Sequence, residues 1–386
     1  MVVAKILYGP AIYFLGNDEA TVWWVTDTIE GGLNGLQAWS TGNPPVFWPS
    51  RIRTVEDEVT NSAIYSHSVR LTGLVQNGYQ NFRIQAFNFL TAVPYVFRTY
   101  RNDGASVRLG LWGNSEGNNT GSTPGLLDTL ARLDARVVDG YLSVGSIVGN
   151  GALVGDWKSW ATATASRLVS KGLSLCRGET DGYGSVAKAM LPFPVYDDYF
   201  AVSIGLARVV GLNSVNRRNI RNPSAQTSWF LNTETPSNAW KTAQYRIVLV
   251  NQPYRTTWWR DSFDFGDATG TDQDLFRFLL PMLQASGADI VLQGRSRSYQ
   301  RGVIDSTYPN NHHQIIHMVS GGGGAPKNQT RRWTWPPPNI PNILFDSNEY
   351  HGLVFDISST RMSIECQGFE SGTVLDSINI APHTLF

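Results

Sequence analysis

The chain is poor in cysteine, in charge and in long apolar runs. Its 386 residues contain two cysteines, Cys176 and Cys366, too few for a disulfide framework or a thiolate zinc site. One bridge between them is chemically allowed, although free buried thiols are the expectation. Charged side chains make up 16% of the chain, against about 25% in an ordinary soluble domain. Lys plus Arg and Asp plus Glu each number 31, so the formal net charge is zero. Direct nucleic-acid binding and attachment to an anionic membrane both need a basic field, and neither is expected. No apolar stretch reaches the roughly 18 residues that span a bilayer. The first ten residues lack a basic region followed by an apolar run, so no secretory signal is visible. A protein made in the cytoplasm without a signal peptide is expected. The triplets Asn118-Asn119-Thr120 and Asn328-Gln329-Thr330 are then chance matches to a glycosylation acceptor.

Common catalytic signatures are missing too. No Gly-x-Ser-x-Gly elbow occurs, which a hydrolase of that type needs to expose its nucleophile. The run Gly321 to Gly324 has no Lys-Ser/Thr after it, so it is no phosphate-cradling loop. His312, His313 and His317 fall on a strand-like segment. There His313 and His317 share a face but lie about 13 Å apart, too far to grip one ion. His67, His351 and His383 are scattered, with no helix-spaced partner.

What the chain has is aromatic residues, at 12%, with 37 Gly and 19 Pro, a composition that suits a tightly packed, β-rich protein. Residues 1–101 alternate apolar and polar without a helical period. Ala20 to Thr26 reads as a core strand, and His67 to Leu74 and Tyr79 to Ala86 as a hairpin around Gln76-Asn77-Gly78. Arg101 to Gly104 reads as a linker. From 105 to 386 strands alternate with helices, the signature of a layered α/β domain. Strands are expected at Val107–Trp112, Val137–Val144, Arg246–Val250, Asp289–Leu292, Gln314–Val319, Leu353–Ile357, Arg361–Glu365 and Val374–Ile380. Helices are expected at Pro124–Ala135, at Asp156–Lys171, and from an N-cap at Thr271 to a stop at Gly287. Tyr199–Ser203 and Arg208–Leu212 read as a hairpin around Gly205.

The loops after these strands carry a resemblance in order along the chain. Gly294-Arg295-Ser296-Arg297-Ser298-Tyr299-Gln300-Arg301 resembles the Gly-His-x-His-x-Tyr-Glu-Arg motif of the purple-acid-phosphatase-type members of the calcineurin-like metallophosphoesterases. Val319 to Gly324, the closing Leu375-Asp376-Ser377 strand, and Val22 to Thr26, Leu71 to Leu74 and Phe97 to Thr99 of the first block fit the same frame. The resemblance implies a fibronectin-III-like all-β sandwich over 1–101, followed by a four-layer αββα domain over 105–386. It also implies two metal ions held at strand ends by Asp, Asn and His.

Position by position, those ligands are replaced. The first Asp falls on Asn114, the bridging Asp on Ser146 and the following Tyr on Gly149. The Asn-His pair falls on Glu179 and Thr180, before Asp181. A ligand His falls on Asn251, and the final His pair on Arg295 and Arg297. A guanidinium stays protonated and offers no lone pair, so no metal and no other cofactor is expected. The arginines either stand in for the cations, pairing with Glu179 or Asp181, or form an anion site with Arg177. The first is favoured, since Arg grips carboxylates in bidentate fashion. The expectation is a catalytically inactive phosphatase-like protein, a structural or protein-interaction module that binds other proteins or itself. A virion is one setting, as a capsid-decoration or tail-associated component. The alternatives are an active phosphoesterase with a reduced or relocated metal site, and an anion- or sugar-binding module in the vacated cleft. Candidate interface residues are Trp258, Trp259 and Arg260, Arg217 and Arg218, and Arg331, Arg332, Trp333 and Trp335, because Trp and Arg dominate interface hot spots.

Overall fold

The computed structural model describes residues 4–29, 33–86, 89–116, 124–194, 196, 198–215, 217–221, 223–253, 278–304, 314–326 and 343–383. The first hundred residues supply strands β1 (Ile6–Tyr13), β2 (Glu19–Thr26), β3 (Asn34–Ser40), β4 (Val46–Pro49), β5 (Arg51–Asp57), β6 (Ser62–Thr72), β7 (Tyr79–Ala86), β8 (Phe89–Leu90) and β9 (Tyr95–Arg98). β2 is buried on both faces, which its β-branched and indole side chains suit. The Trp23 Nε1–H keeps polar partners there, donating to Ser66 Oγ and to the Ala189 carbonyl.

These strands divide between two sheets. One has the order β4-β3-β7-β8 with β9 on β7, and β1-β2-β6-β5 belongs to another. Leu36, Phe82, Ile84 and Phe97 of the first share one buried cluster with Val55, Ile64, Val69 and Leu71 of the second. The hairpin expected over 67–86 is therefore corrected. β6 pairs with β2 and β5, whereas β7 pairs with β3, β8 and β9. A tight Asn-Gly hairpin turn needs φ > 0 at both central residues, and Asn77 has φ 55 while Gly78 is not in that region. The connection is instead pinned to the body by Leu74 N–H on Asp18 O and Asn77 N–H on Tyr100 O, so the chain crosses from one sheet to the other.

The remaining strands and α-helices are β10 (Val107–Trp112), α1 (Pro124–Ala135), β11 (Gly140–Ser143), α2 (Val154–Leu168), β12 (Leu173–Leu175), α3 (Ser185–Met190), β13 (Phe200–Ile204), β14 (Ala207–Leu212), α4 (Arg217–Ile220), α5 (Ala225–Trp229), α6 (Asn238–Lys241), β15 (Tyr245–Val250), α7 (Leu280–Ser286), β16 (Ile290–Gln293), β17 (Tyr299–Ile304), β18 (Ile315–Ser320), β19 (Ile343–Ser347), β20 (His351–Ile357), β21 (Met362–Gly368) and β22 (Val374–Ile380), with a π-helical turn at Phe230–Glu234. The expected N-cap at Thr271 lies outside the described residues, while the helix stop at Gly287 is present with φ 72. β17 and β19 have no apolar alternation and were not expected as strands.

The ten-stranded sheet runs β22-β21-β20-β10-β11-β12-β1-β2-β6-β5, and a seven-stranded sheet runs β13-β14-β15-β16-β18-β17-β19. The sheet does not stop at the expected linker: β1 joins β12 in parallel, with Phe14 N–H on Leu173 O at 2.9 Å. Ile247, Leu249, Ile290 and Leu292 face Leu109, Leu111, Leu353 and Phe355 in the core between the sheets. Val248, Val250 and Val291 point outward to Trp240, Leu280 and Leu283. Burial on both faces explains why β15 is an unbroken apolar run. A polar tie crosses between the sheets, where Asp376 of β22 accepts from Arg301 Nε (2.6 Å), Arg301 Nη2 (3.0 Å) and Tyr299 Oη (2.7 Å) of β17. Both cysteines are buried and free. Among the described residues no helix is long and apolar enough to cross a membrane.

Two predictions follow from this packing. Glu58, in the β5–β6 turn, accepts from Val154 N at 2.8 Å and Gly155 N at 3.0 Å at the start of α2, where Leu153 supplies no side-chain cap. Glu58→Ala should cost about 1 kcal/mol, seen as a lower Tm; an unchanged Tm refutes the cap. His67 is buried, stacked on Trp24 and bonded to Thr26 and Ser50. Burial lowers its pKa to about 4 from 6.5. The folded state resists its protonation, so stability is full above pH ~6.5 and falls as pH drops toward ~4, by about 3 kcal/mol in all. A pH series of unfolding free energies on His67→Gln should show a flatter slope in that window, and an unaltered slope would exclude His67 as its source.

Candidate functional site

Strands of the two facing sheets end together, and the loops leaving them are sharply bent. Asn114 after β10, Ser146 after β11 and Arg295 after β16 have φ of 55, 56 and 61, and Glu116 has φ 43. Left-handed backbone costs a non-glycine residue about 1–2 kcal/mol, so four such residues in one place mark a site whose backbone is held by its surroundings. Gly178 fits beside them because a Cβ there would lie 1.8 Å from Ser146 N.

Each polar side chain on these bends is committed. Asn114 Oδ1 accepts from Arg295 N at 2.7 Å, and its Nδ2 donates to Glu116 Oε1 at 3.2 Å and to Arg295 O at 3.4 Å. An amide is needed there, since an Asp could not donate to Glu116. Asn251, after β15, donates to Val144 O at 2.7 Å and Ser146 Oγ at 3.3 Å, and accepts from Glu179 N at 3.1 Å. Asp181 is fully buried and accepts from the N–H groups of Gly178 (2.7 Å), Ser146 (2.9 Å), Ile147 (2.8 Å) and Val148 (3.3 Å). Burial pushes its pKa up, opposed by these N–H donors and by Arg177.

The arginines find separate anions. Arg295 pairs with Glu179 through Nε at 2.7 Å and Nη2 at 3.2 Å. The Gln252 amide, oriented to satisfy both its ends, accepts from Arg295 Nη1 at 3.1 Å and donates to Ser214 O at 3.0 Å. Arg297 pairs with Glu116 and donates to Pro326 O at 2.9 Å. Arg177 does not join them. Fully buried, it lies between the Tyr183 and Phe193 rings, donating to Gly182 O and pairing with Asp198 at 3.4 Å. Asp181 is held by backbone, not gripped by Arg295 or Arg297.

Thr180 ties the loop after β12 to Val148 O at 2.6 Å, and Gly149 sits half-buried in the loop after β11. Glu116 and Gln252 were not singled out in the sequence; the signal for Glu116 was its position two residues past Asn114 in a strand-end loop. Of the surface candidates, Arg217 and Arg218 lie on α4, with Arg218 exposed. Trp258, Trp259, Arg260, Arg331, Arg332, Trp333 and Trp335 lie outside the described residues, as do His312 and His313. His317 is buried on β18.

The N–H cradle around Asp181 generates a prediction. Asp181→Ala leaves four buried donors without an acceptor and should cost about 3 kcal/mol or more, read as a fall in denaturant midpoint; a loss under about 1 kcal/mol would mean the loops repack around the gap.

No protein-family model matches the chain, and no curated protein matches it in sequence. Solved structures do match. The purple acid phosphatase PPD1 from yellow lupin (Lupinus luteus) seeds superimposes with a TM-score of 0.75 at 16% identity, over 96% of this chain and 74% of that one. GAP50, the anchor in the inner membrane complex of Plasmodium, aligns with a TM-score of 0.48 at 13% identity, over 72% of this chain and 90% of that one. The chain has the fold of a purple acid phosphatase.

Proposed function

We propose that this chain is a catalytically silent phosphatase-like protein, used as a structural or protein-interaction module. The observation that carries the proposal is the pair of ion pairs at the strand ends, Arg295 with Glu179 and Arg297 with Glu116. The fold's chemistry would call for a di-metal centre whose ligands present lone pairs, and these residues do not fit one. The guanidiniums have none to give. The Asn114 and Asn251 side-chain oxygens already accept from backbone N–H groups. Among the described residues no group of three His, Cys, Asp or Glu side chains is placed to hold a metal ion. The strained backbone of the site is retained while its side chains tie the loops to one another.

An anion-binding cleft is less well supported, because both guanidiniums are engaged by carboxylates and the local charge is balanced. A virion is the proposed setting, as a capsid-decoration or tail-associated component, where a neutral β-rich subunit can pack against neighbours without charge repulsion. In that reading the exposed Arg218 on α4 belongs to the docking surface.

Metal analysis of the purified protein, with p-nitrophenyl phosphate turnover, tests the proposal. Sub-stoichiometric Fe, Zn and Mn and background turnover are expected; stoichiometric metal with turnover would overturn it in favour of an active phosphoesterase. The ion pairs are tested separately. Glu116 is 14% exposed and Glu179 45% exposed, so Arg297→Ala should cost more than Arg295→Ala, about 3 against about 1 kcal/mol. Equal and negligible losses would show that the pairs do not hold the loops.

A further inference from the structure

The sheet of β4-β3-β7-β8, with β9 on β7, turns one face to the core and the other away from it. Successive side chains of a strand alternate between faces. Leu36, Ala38, Phe82, Ile84 and Phe97 point inward. Gln37, Trp39, Phe47, Tyr79, Asn81, Arg83, Gln85 and Arg98 therefore share the outer face, and none of them is buried. The Phe47 ring lies over Gly35, where a Cβ would come within 2.8 Å of it. Register sets these side chains in rows across the strands. Phe47, Gln37 and Arg83 form one row, Trp39, Asn81 and Val96 the next, and Tyr79 with Arg98 a third. Rows on one face are about 7 Å apart. Each row holds one aromatic ring beside a polar side chain.

Charge on this face is left over. Residues 31–50 and 73–100, which build the sheet, contain no Asp or Glu, although the chain has 31; their charged residues are Arg83 and Arg98. Elsewhere strand arginines meet carboxylates, as Arg70 meets Glu19, Arg208 meets Glu234 and Arg301 meets Asp376. Here the guanidiniums lean on rings. Arg83 lies over Trp39, 5.9 Å from the ring centre, and Arg98 over Tyr79 at 5.3 Å. Arg83 Nε is shielded from solvent without an acceptor among the described residues, and Arg98 donates to the Asn77 carbonyl at 3.5 Å. Hydrogen-bonding capacity is left over too. Gln37 Nε2 donates to Gln85 Oε1 at 3.1 Å. Among the described residues the free ends of those two amides, and the whole Asn81 amide, have no partner.

We propose that this face binds an acidic polysaccharide, a chain of pyranose rings bearing carboxylates. The face of an aromatic ring is electronegative and takes the polarised C–H bonds of a pyranose. Planar amides set between the rings donate to and accept from hydroxyls. The two guanidiniums without a carboxylate of their own grip those of the ligand, in the bidentate geometry that Arg favours. A protein partner fits less well, because a protein interface has an apolar core, and the aliphatic residues of this face, Leu90 and Val96, stand two rows apart. A nucleic acid draws its affinity from many phosphate contacts, and two cations in a neutral chain supply few. The inference does not rest on catalytic silence, since the face belongs to a different sheet from the strand-end loops and an active enzyme could carry it equally.

Titration calorimetry of the full chain against polygalacturonate, alginate and hyaluronate tests this. Binding to at least one of the three is expected. Arg83→Gln combined with Arg98→Gln should weaken it at least about tenfold while leaving the melting temperature in place, and Trp39→Ala should weaken it by a similar factor. The methyl ester of the bound polysaccharide, which has lost its carboxylates, should also bind at least about tenfold more weakly. Arg361→Gln, in the exposed turn between β20 and β21, should bind as the unmodified chain does. Binding to none of the three would overturn the proposal. So would a double arginine variant that binds undiminished, an equal loss in Arg361→Gln, or tighter binding to single-stranded poly(dT) than to any of the polysaccharides.

Discussion

A guanidinium cannot shed its proton, so two of them drawn into the ends of facing sheets oblige the protein to bring carboxylates to the same place. Glu179 and Glu116 do so from different loops, one after β12 and the other after β10. The ion pairs join the loop after β16 to both. Around them the amides of Asn114 and Asn251 and the carboxylate of Asp181 bond backbone groups of residues 144, 146–148, 178, 179 and 295. The result is a network in which each member is satisfied by another, the condition under which buried polar groups add order and not cost.

The backbone under this network is strained at four non-glycine positions. Left-handed residues at 114, 116, 146 and 295 persist because strands on both sides fix the direction of entry and exit of each loop. Side-chain chemistry can be exchanged on such a scaffold without rebuilding the fold, because the core between the sheets does not include these positions. Val107 to Leu111, Ile247 to Leu249 and Leu353 to Ile357 bury their alternate residues whatever the loops carry. The Arg301–Asp376–Tyr299 tie joins the two sheets at the start of β17, just past the loop that carries Arg295 and Arg297. A likeness of fold at 16% identity speaks to the fold alone and not to the chemistry of the site.

Much of this was legible in the order of residues. Helix α1 was bounded by Pro124 and Ala135, and β22 by Val374 and Ile380, as expected. β15 and β16 announced themselves as short apolar runs. Gly205 and Gly287 marked their turns, each with positive φ. The loops after β10, β11, β12, β15 and β16 could be found, with the polar and arginine residues they carry. Partners across space could not be found. Arg297 takes Glu116, 181 positions earlier, and nothing in the local pattern of either residue names the other. Arg177 was a candidate donor in an anion site with Arg295 and Arg297, yet the loop after β12 turns it to the aromatic pocket of Tyr183 and Phe193.

Composition and periodicity by themselves settled that the chain is neutral and β-rich, with no helical period in its first hundred residues. They did so because burial of alternate or consecutive apolar side chains is a local property of a strand. The allocation of strands to sheets was decided only in three dimensions. β6 and β7 are neighbours in sequence and lie in different sheets, and β1 closes onto β12 across more than a hundred and fifty residues. Backbone hydrogen bonds carry no residue identity, so strand pairing and the choice of which carboxylate meets which guanidinium follow from the packing of whole layers and from no single segment.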